Sequence, residues 1–382
     1  MSVKTEERAV TKTEQIQPRP EAPGTTARWV SRLAFDKIGA VYVLLAIVVV
    51  FSVWVPETFP NLTTAKQIFN ANAVTALAAL SVTIPLAARV FDLSFALNMT
   101  LCGVAVAHFV VDGVPLVPAV ALGVLIGLVV GLINATVVVG MKIDSFIATL
   151  ATGSLIQALI TLVTNDTPIS DVKLAGGFAK IGQTTTHGLI LPVLYVAVVA
   201  VGIWYVLEHT ATGRRLYAVG FNPDAARLAG VKVARLQFLA LVTSGVLAGS
   251  AGIVLASILG GGSPTAGTPY LLPGFAAVFL GATQLKNGRF NAGGTLIAVL
   301  LLGTGTTGLG LANAPQWSGS LFVGIVLIAA LTVTGLQRRT TLAARPVPEQ
   351  SLPVTGDSDV AGPHTNPPGT TPGNPPGSNV SA

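Results

Sequence analysis

Side chains that could carry out catalysis are few and scattered in this sequence. The four histidines, His108, His187, His209 and His364, lie in different segments, and Cys102 is the only cysteine. No G-x-x-x-x-G-K-[ST], H-E-x-x-H or G-x-S-x-G motif occurs. The sequence therefore predicts no disulfide, no metal site and no nucleotide-binding loop, and it favours a protein that is not an enzyme.

One stretch, GFNPDAARLAGVKV, carries the signals of a short helix that begins and ends within it. Asn222 can cap the first turn, and Pro223 suits the first helical position, where its missing N–H costs nothing. Gly230 is a natural left-handed stop. These residues predict a helix over 223–229, about 10 Å long and too short to cross a membrane.

The residue types on this helix suggest what it could do. Asp224 lies near the positive end of the helix dipole and Arg227 near the negative end. Ala225, Ala226 and Ala229 would give it a small-residue surface that can pack closely against another protein. Two interpretations remain open at this point: a docking helix for a cytoplasmic partner, or a basic surface loop that happens to be capped.

The elements that must position this helix are long apolar segments. The chain has 382 residues, of which 51% are hydrophobic and only 10% charged, and its mean hydropathy is +0.71. The apolar blocks are continuous rather than alternating, which favours spanning helices over strands. We therefore predict an all-α polytopic transmembrane bundle of about ten spans. The predicted spans are 38–55, 71–88, 93–112, 116–139, 145–163, 189–208, 236–258, 271–285, 291–310 and 318–336.

The basic residues predict how the bundle is oriented. If the N-terminus lies inside, only Lys66, Lys173 and Lys180 of the 22 Lys and Arg residues fall outside, as the positive-inside rule requires. Both termini are then cytoplasmic. The net charge of +6 is explained by these inner loops, so we expect no nucleic-acid partner.

The predicted organisation has three parts. Residues 1–36 form a disordered cytoplasmic tail, 37–337 the transmembrane domain, and 338–382 a disordered, Pro/Gly-rich cytoplasmic tail. Two loops of the membrane domain are long: 164–188 lies outside, whereas 209–235 lies inside and contains the capped helix.

Polar residues inside the predicted spans are candidates for a solute pathway, although interhelical hydrogen bonding explains such residues equally well. The candidates are Asn72, Asn98, Asn134, Gln157 and Thr161. Asp92, just after Arg89, is expected to be an interfacial cap and ion-pair partner. The glycine-rich stretches at 123–134 and 243–252 predict close packing of helix backbones.

Four stretches, in this order, resemble one family. These are GLINATVVVGMKIDSFIATLATGSLIQALITLVTN (131–165), GFNPDAARLAGVKV, SPTAGTPYLL (263–272) and FLGATQLKNGRFNAGGTLIAVLLLGTGTTGLGL (279–311). They are similar to the permeases of ABC-type sugar importers of the ribose/xylose/galactoside group. The resemblance covers roughly 68–336.

The resemblance implies a bacterial inner-membrane, multi-pass permease subunit in contact with membrane lipid. It implies a homodimer in which each copy docks on a cytoplasmic ABC ATPase, and an extracytoplasmic solute-binding protein that delivers a sugar or similar small polar solute. ATP and Mg would be bound by the ATPase, so this chain would hold no cofactor. The residues that the resemblance assigns to ATPase coupling are Gly220, Asn222, Pro223, Asp224, Ala225, Ala226, Arg227, Leu228, Ala229 and Gly230.

Two other transport functions stay open at the level of sequence. One is a permease of the branched-chain amino acid type of ABC importer, which shares this general layout. The other is a secondary transporter that works alone.

Overall fold

A computed structural model describes residues 35–284 and 288–343. The tails predicted at 1–36 and 338–382 fall almost entirely outside these residues. The described residues up to Arg338 form one compact unit. The last helix ends at Ala343.

The described residues are mostly helical, with one small antiparallel hairpin. The hairpin pairs β1 (Thr185–Thr186) with β2 (Leu189–Ile190). The α-helices are α1 (Phe35–Trp54), α2 (Leu62–Ala87), α3 (Phe95–Val111), α4 (Leu116–Ala135), α5 (Ser145–Thr164), α6 (Gly177–Gln183), α7 (Leu191–His209), α8 (Ala211–Phe221), α9 (Pro223–Leu228), α10 (Val233–Leu259), α11 (Leu271–Gln284), α12 (Ala292–Leu311) and α13 (Trp317–Ala343).

Each predicted span coincides with an apolar helix, so the all-α membrane fold is confirmed. By length and composition, 6 helical stretches among the described residues can cross a membrane: Leu62–Ala87, Leu116–Gly140, Ser145–Thr164, Leu191–His209, Val233–Leu259 and Ala292–Leu311. The remaining predicted spans correspond to shorter apolar helices, namely Val41–Trp54, Phe95–Val111, Thr268–Thr283 and Trp317–Ala329. The count of ten and the cytoplasmic termini stay predictions.

Polar caps fix where several of these helices begin. Asp144 Oδ1 accepts the Phe146 N–H at 3.0 Å at the start of α5, and Asn291 Oδ1 accepts the Gly294 N–H at 2.7 Å at the start of α12. Each cap satisfies an N–H group that has no partner within its own helix. Since these residues lie between apolar blocks, they set the boundaries that hydrophobicity alone leaves vague.

The most extensive helix packing in the bundle is that of α10 against α2, α3 and α4. Glycines let the backbones of α4 and α10 approach closely. A Cβ built at Gly127 would lie 2.7 Å from the Gly245 carbonyl oxygen, and one built at Gly245 would lie 2.5 Å from the Gly127 carbonyl oxygen. The close packing predicted for these two glycine-rich stretches is confirmed.

The outer loop at 164–188 is folded rather than loose. Leu174, in a 3₁₀ turn at Val172–Ala175, and Phe178 in α6 are both buried. Asn70 of α2 holds the hairpin from both sides: its Nδ2 donates to the Gly188 carbonyl at 3.1 Å, and its Oδ1 accepts the Ile190 N–H at 3.0 Å. The hairpin of this loop is therefore fixed to α2.

The glycine contact predicts the effect of a single methyl group. Gly127→Ala should lower the free energy of unfolding by about 1–3 kcal/mol, because the added carbon meets backbone that cannot rotate away. Gly202→Ala, at a helical glycine of α7 whose Cβ would meet no atom within 4 Å, is the matched control and should leave stability unchanged or slightly higher. Unfolding in detergent followed by circular dichroism measures both. Equal stability of the two variants would contradict the close contact.

Candidate functional site

The predicted capped helix is present as α9. Asn222 Oδ1 accepts the N–H groups of Asp224 and Ala225, both at 3.1 Å. At the other end Gly230 has φ 79°, and its N–H donates to the Arg227 carbonyl at 3.0 Å. The helix spans Pro223–Leu228, with Ala229 as its C-cap, one residue shorter than predicted.

This helix has one face turned toward its own chain and one turned away. Ala226 is only 5% exposed and packs in a cluster with Val219 of α8 and Val233 of α10. Leu228 and Phe221, by contrast, are 92% and 87% exposed. The expectation that all three alanines face a partner is therefore wrong for Ala226, whose side chain fastens α9 to α10.

Ala225 and Ala229 are exposed together with these two apolar side chains. Asp224 Oδ1 and Arg227 Nη1 form an ion pair at 3.0 Å beside them, with both side chains largely in solvent. An exposed pair of this kind adds little stability. It neutralises charge next to the exposed apolar residues. We call α8 and α9 together the docking unit.

Two contacts fix the docking unit to the membrane helices. Gly220 packs directly on the Ala87 carbonyl at the end of α2, where a Cβ would overlap the oxygen. Tyr217 Oη donates to the Phe290 carbonyl at 3.0 Å, just before α12, and the Arg289 guanidinium lies 5.4 Å from the centre of the tyrosine ring.

The Tyr217 hydroxyl keeps its proton and can therefore act as a hydrogen-bond donor. Burial, together with the nearby Glu208 carboxylate, raises the pKa of Tyr217 above its ordinary value. The phenol thus stays protonated at physiological pH. Movement of the docking unit is thereby tied to α2, to α10 and to the turn before α12.

The pathway candidates do not converge on one site. Asn98 and Asn134 are fully buried and bond other helices or turns: Asn98 Nδ2 donates to the Gly245 carbonyl at 2.9 Å, and Asn134 Nδ2 donates to Ser94 Oγ at 2.7 Å. Asn72 is half-buried, bonds Ile68 of its own helix at 2.8 Å and packs on α12.

Gln157 and Thr161 are partly exposed, as Asn72 is, and both lie on α5. Thr161 Oγ1 donates to Asp166 Oδ1 at 2.8 Å near the outer end of that helix. Neither belongs to the buried set of α5, which includes Ile156 and Ile160.

Asp92 does not lie where an interfacial ion-pair partner would lie. It is 1% exposed, and it forms no ion pair with another of the described residues. Ser94 Oγ donates to its Oδ1 and Ser244 Oγ to its Oδ2, each at 2.7 Å. The expectation of an interfacial ion pair with Arg89 was wrong, because the fold turns Asp92 inward against α4 and α10. Its place between two apolar segments could have indicated burial.

These features define a class. An all-α membrane protein without a nucleotide-binding motif, carrying a rigid apolar-tipped helix on its basic side, has the layout of a membrane permease driven by another subunit. The chain belongs to the family described as "Branched-chain amino acid transport system / permease component", which matches residues 64–331. It is therefore a component of a transport system rather than an enzyme, and a multi-pass inner-membrane protein.

Curated relatives are similar over most of their length. The ribose import permease protein of Bacillus subtilis (strain 168) is 34% identical over 84% of this chain and 97% of its own. The ribose import permease protein of Escherichia coli (strain K12) is 32% identical over 77% of this chain and 91% of its own, and the fructose import permease protein of Rhizobium meliloti is 32% identical over 76% and 83%. The resemblance to sugar ABC importer permeases is confirmed. No solved structure matches the chain.

The orientation of α9 predicts opposite outcomes for neighbouring alanines. Ala226→Arg forces a charge into the cluster with Val219 and Val233, so α9 should detach from α10 at a cost of more than about 2 kcal/mol. Ala225→Arg should leave α9 packed, since that side chain already faces solvent. Hydrogen exchange of the amides between 223 and 233 measures the difference. Faster exchange in both variants, or in neither, would contradict the assigned faces.

Proposed function

We propose that the chain is the membrane permease subunit of an ABC importer that moves a sugar or a similar small polar solute. The observation that carries this proposal is the near full-length similarity to proteins named as ribose and fructose import permeases. A D-allose transport system permease protein of Escherichia coli (strain K12), 30% identical over 80% of this chain, adds a third sugar.

The family description names branched-chain amino acids, but the individual relatives favour a sugar. A relative named for autoinducer 2 import, from Photorhabdus luminescens, extends the range to other small polar molecules. The stand-alone transporter is disfavoured because family members are described as components of a transport system.

Membership of this family implies two partners, a cytoplasmic ATPase and an extracytoplasmic binding protein. We assign the ATPase contact to the exposed side of the docking unit. Phe221 and Leu228 stand in solvent there, and a large exposed apolar pair marks a site of protein contact. ATP and Mg would be held by the ATPase, and the coupling residues from Gly220 to Gly230 would receive its movement.

The second copy of the chain is assigned to the outer face of α5. Ser154, Gln157 and Thr161 place polar groups on the side of α5 that is not buried in the single chain. Polar groups at membrane depth normally face protein or a water-filled cavity. Ala151 and Ala158, also exposed on this side, allow close approach of another helix.

A homodimer through this face would place the solute pathway between the two copies. Gln157 and Thr161 of each copy would then line it, whereas Asn72, Asn98 and Asn134 would hold helices together. A pathway of this kind is incomplete in a single chain, which explains why no polar channel assembles from the five candidates.

Transport by the reconstituted complex tests the function and the docking face together. Proteoliposomes containing the chain, its ATPase and its binding protein should take up radiolabelled ribose, allose or fructose only when ATP is present. Leu228→Asp should reduce uptake by about tenfold or more, because a charge replaces an anchor at the contact. Leu228→Met, the matched control, should retain uptake. Ion-driven flux without the ATPase, or full activity of Leu228→Asp, would contradict the proposal.

Disulfide crosslinking tests the dimer. Ser154→Cys should form a crosslinked dimer on mild oxidation in membranes, whereas Val198→Cys on α7, which is 64% exposed, should not. Cys102 is buried and is the only native thiol, so it should contribute no background. Dimers that form through Val198→Cys and not through Ser154→Cys would place the interface elsewhere.

A further inference from the structure

The segment between α2 and α3, residues 88–94, is held by side chains of other helices. The Phe91 N–H donates to Ser145 Oγ at 3.0 Å, and the Leu93 N–H donates to Thr149 Oγ1 at 3.0 Å. Ser145 and Thr149 lie one turn apart on the buried face of α5. The two hydroxyls thus accept backbone N–H groups, as the carbonyls of a neighbouring strand would do in a sheet.

The same segment begins at the docking unit. Gly220 of α8 packs on the Ala87 carbonyl, one residue before the segment starts. Gln237 of α10 donates from Nε2 to the Ala88 carbonyl at 3.3 Å. α8 therefore abuts the end of α2 immediately before the segment.

The middle of the segment is anchored through Asp92. Its carboxylate accepts hydrogen bonds from Ser94 and from Ser244 of α10, and Asn134 of α4 donates to Ser94. The Asn134 Oδ1 atom is buried without a hydrogen-bond partner. An unused buried acceptor leaves the cluster only partly satisfied.

We propose that the 88–94 segment is the mechanical link between the docking unit and α5, and that Ser145 and Thr149 are the positioning residues that connect it to α5. The proposal rests on the proposed function, in which α9 receives the ATPase and α5 lines the pathway. The segment is hydrogen-bonded to α5 and directly follows Ala87, on which α8 packs. Pressure on the Ala87 carbonyl would shift the segment, and its two N–H groups would carry the shift to α5.

The test separates coupling from stability. In proteoliposomes with the ATPase and binding protein, Ser145→Ala combined with Thr149→Ala should lower the number of radiolabelled sugar molecules imported per ATP hydrolysed by about tenfold, as expected when two hydrogen bonds leave one conformational equilibrium. ATP hydrolysis should stay close to the wild-type rate. Thr149→Ser, which keeps the hydroxyl, should retain the wild-type ratio.

Thr152→Ala is the matched control. Thr152 is buried on the same face of α5, but its hydroxyl bonds only the Ala148 carbonyl of its own helix, at 3.0 Å. This variant should keep the wild-type ratio at a comparable thermal stability. The link would be overturned if the double variant kept the wild-type ratio, or if its import and ATP hydrolysis fell together with its stability. Absence of ATP-dependent import by the wild-type chain would instead remove the proposed function itself.

Discussion

The burial of Ala226 against Val219 and Val233 is the interaction on which the functional account depends. A helix of 6 residues has no stability of its own, because nucleation costs more than so few hydrogen bonds return. Packing on α10 turns it into a rigid projection. Since α10 also packs against α2, α3 and α4, α9 is fixed to the centre of the bundle.

The membrane imposes a second constraint, because backbone N–H and C=O groups within it must form hydrogen bonds without water. The break between α2 and α3 meets it with hydroxyls of α5, an amide of α10 and the Asp92 carboxylate. Such bonds are local and can be exchanged, whereas the glycine contact of α4 with α10 involves backbone that cannot yield. The bundle therefore combines one close backbone interface with one segment held by side-chain hydrogen bonds, and that segment begins beside the docking unit.

Much of this fold could be predicted because its signals are local. Continuous apolar blocks indicate the helices, and Asn222, Pro223 and Gly230 define α9 within a single turn at each end. The direction in which Ala226 points could not be predicted, because it depends on α8 and α10 as neighbours. The same holds for Asp92: an acid near Arg89 in sequence favours an ion pair, whereas the fold offers it Ser244, more than a hundred residues away.

The most direct test of the central claim is the accessibility of α9 in the assembled transporter. With Leu228→Cys, a membrane-impermeant maleimide applied from the inner side should label the thiol readily in the chain alone. Binding of the ATPase should abolish this labelling and leave that of Lys142→Cys, between α4 and α5, unchanged. Equal labelling of Leu228→Cys with and without the ATPase would contradict it.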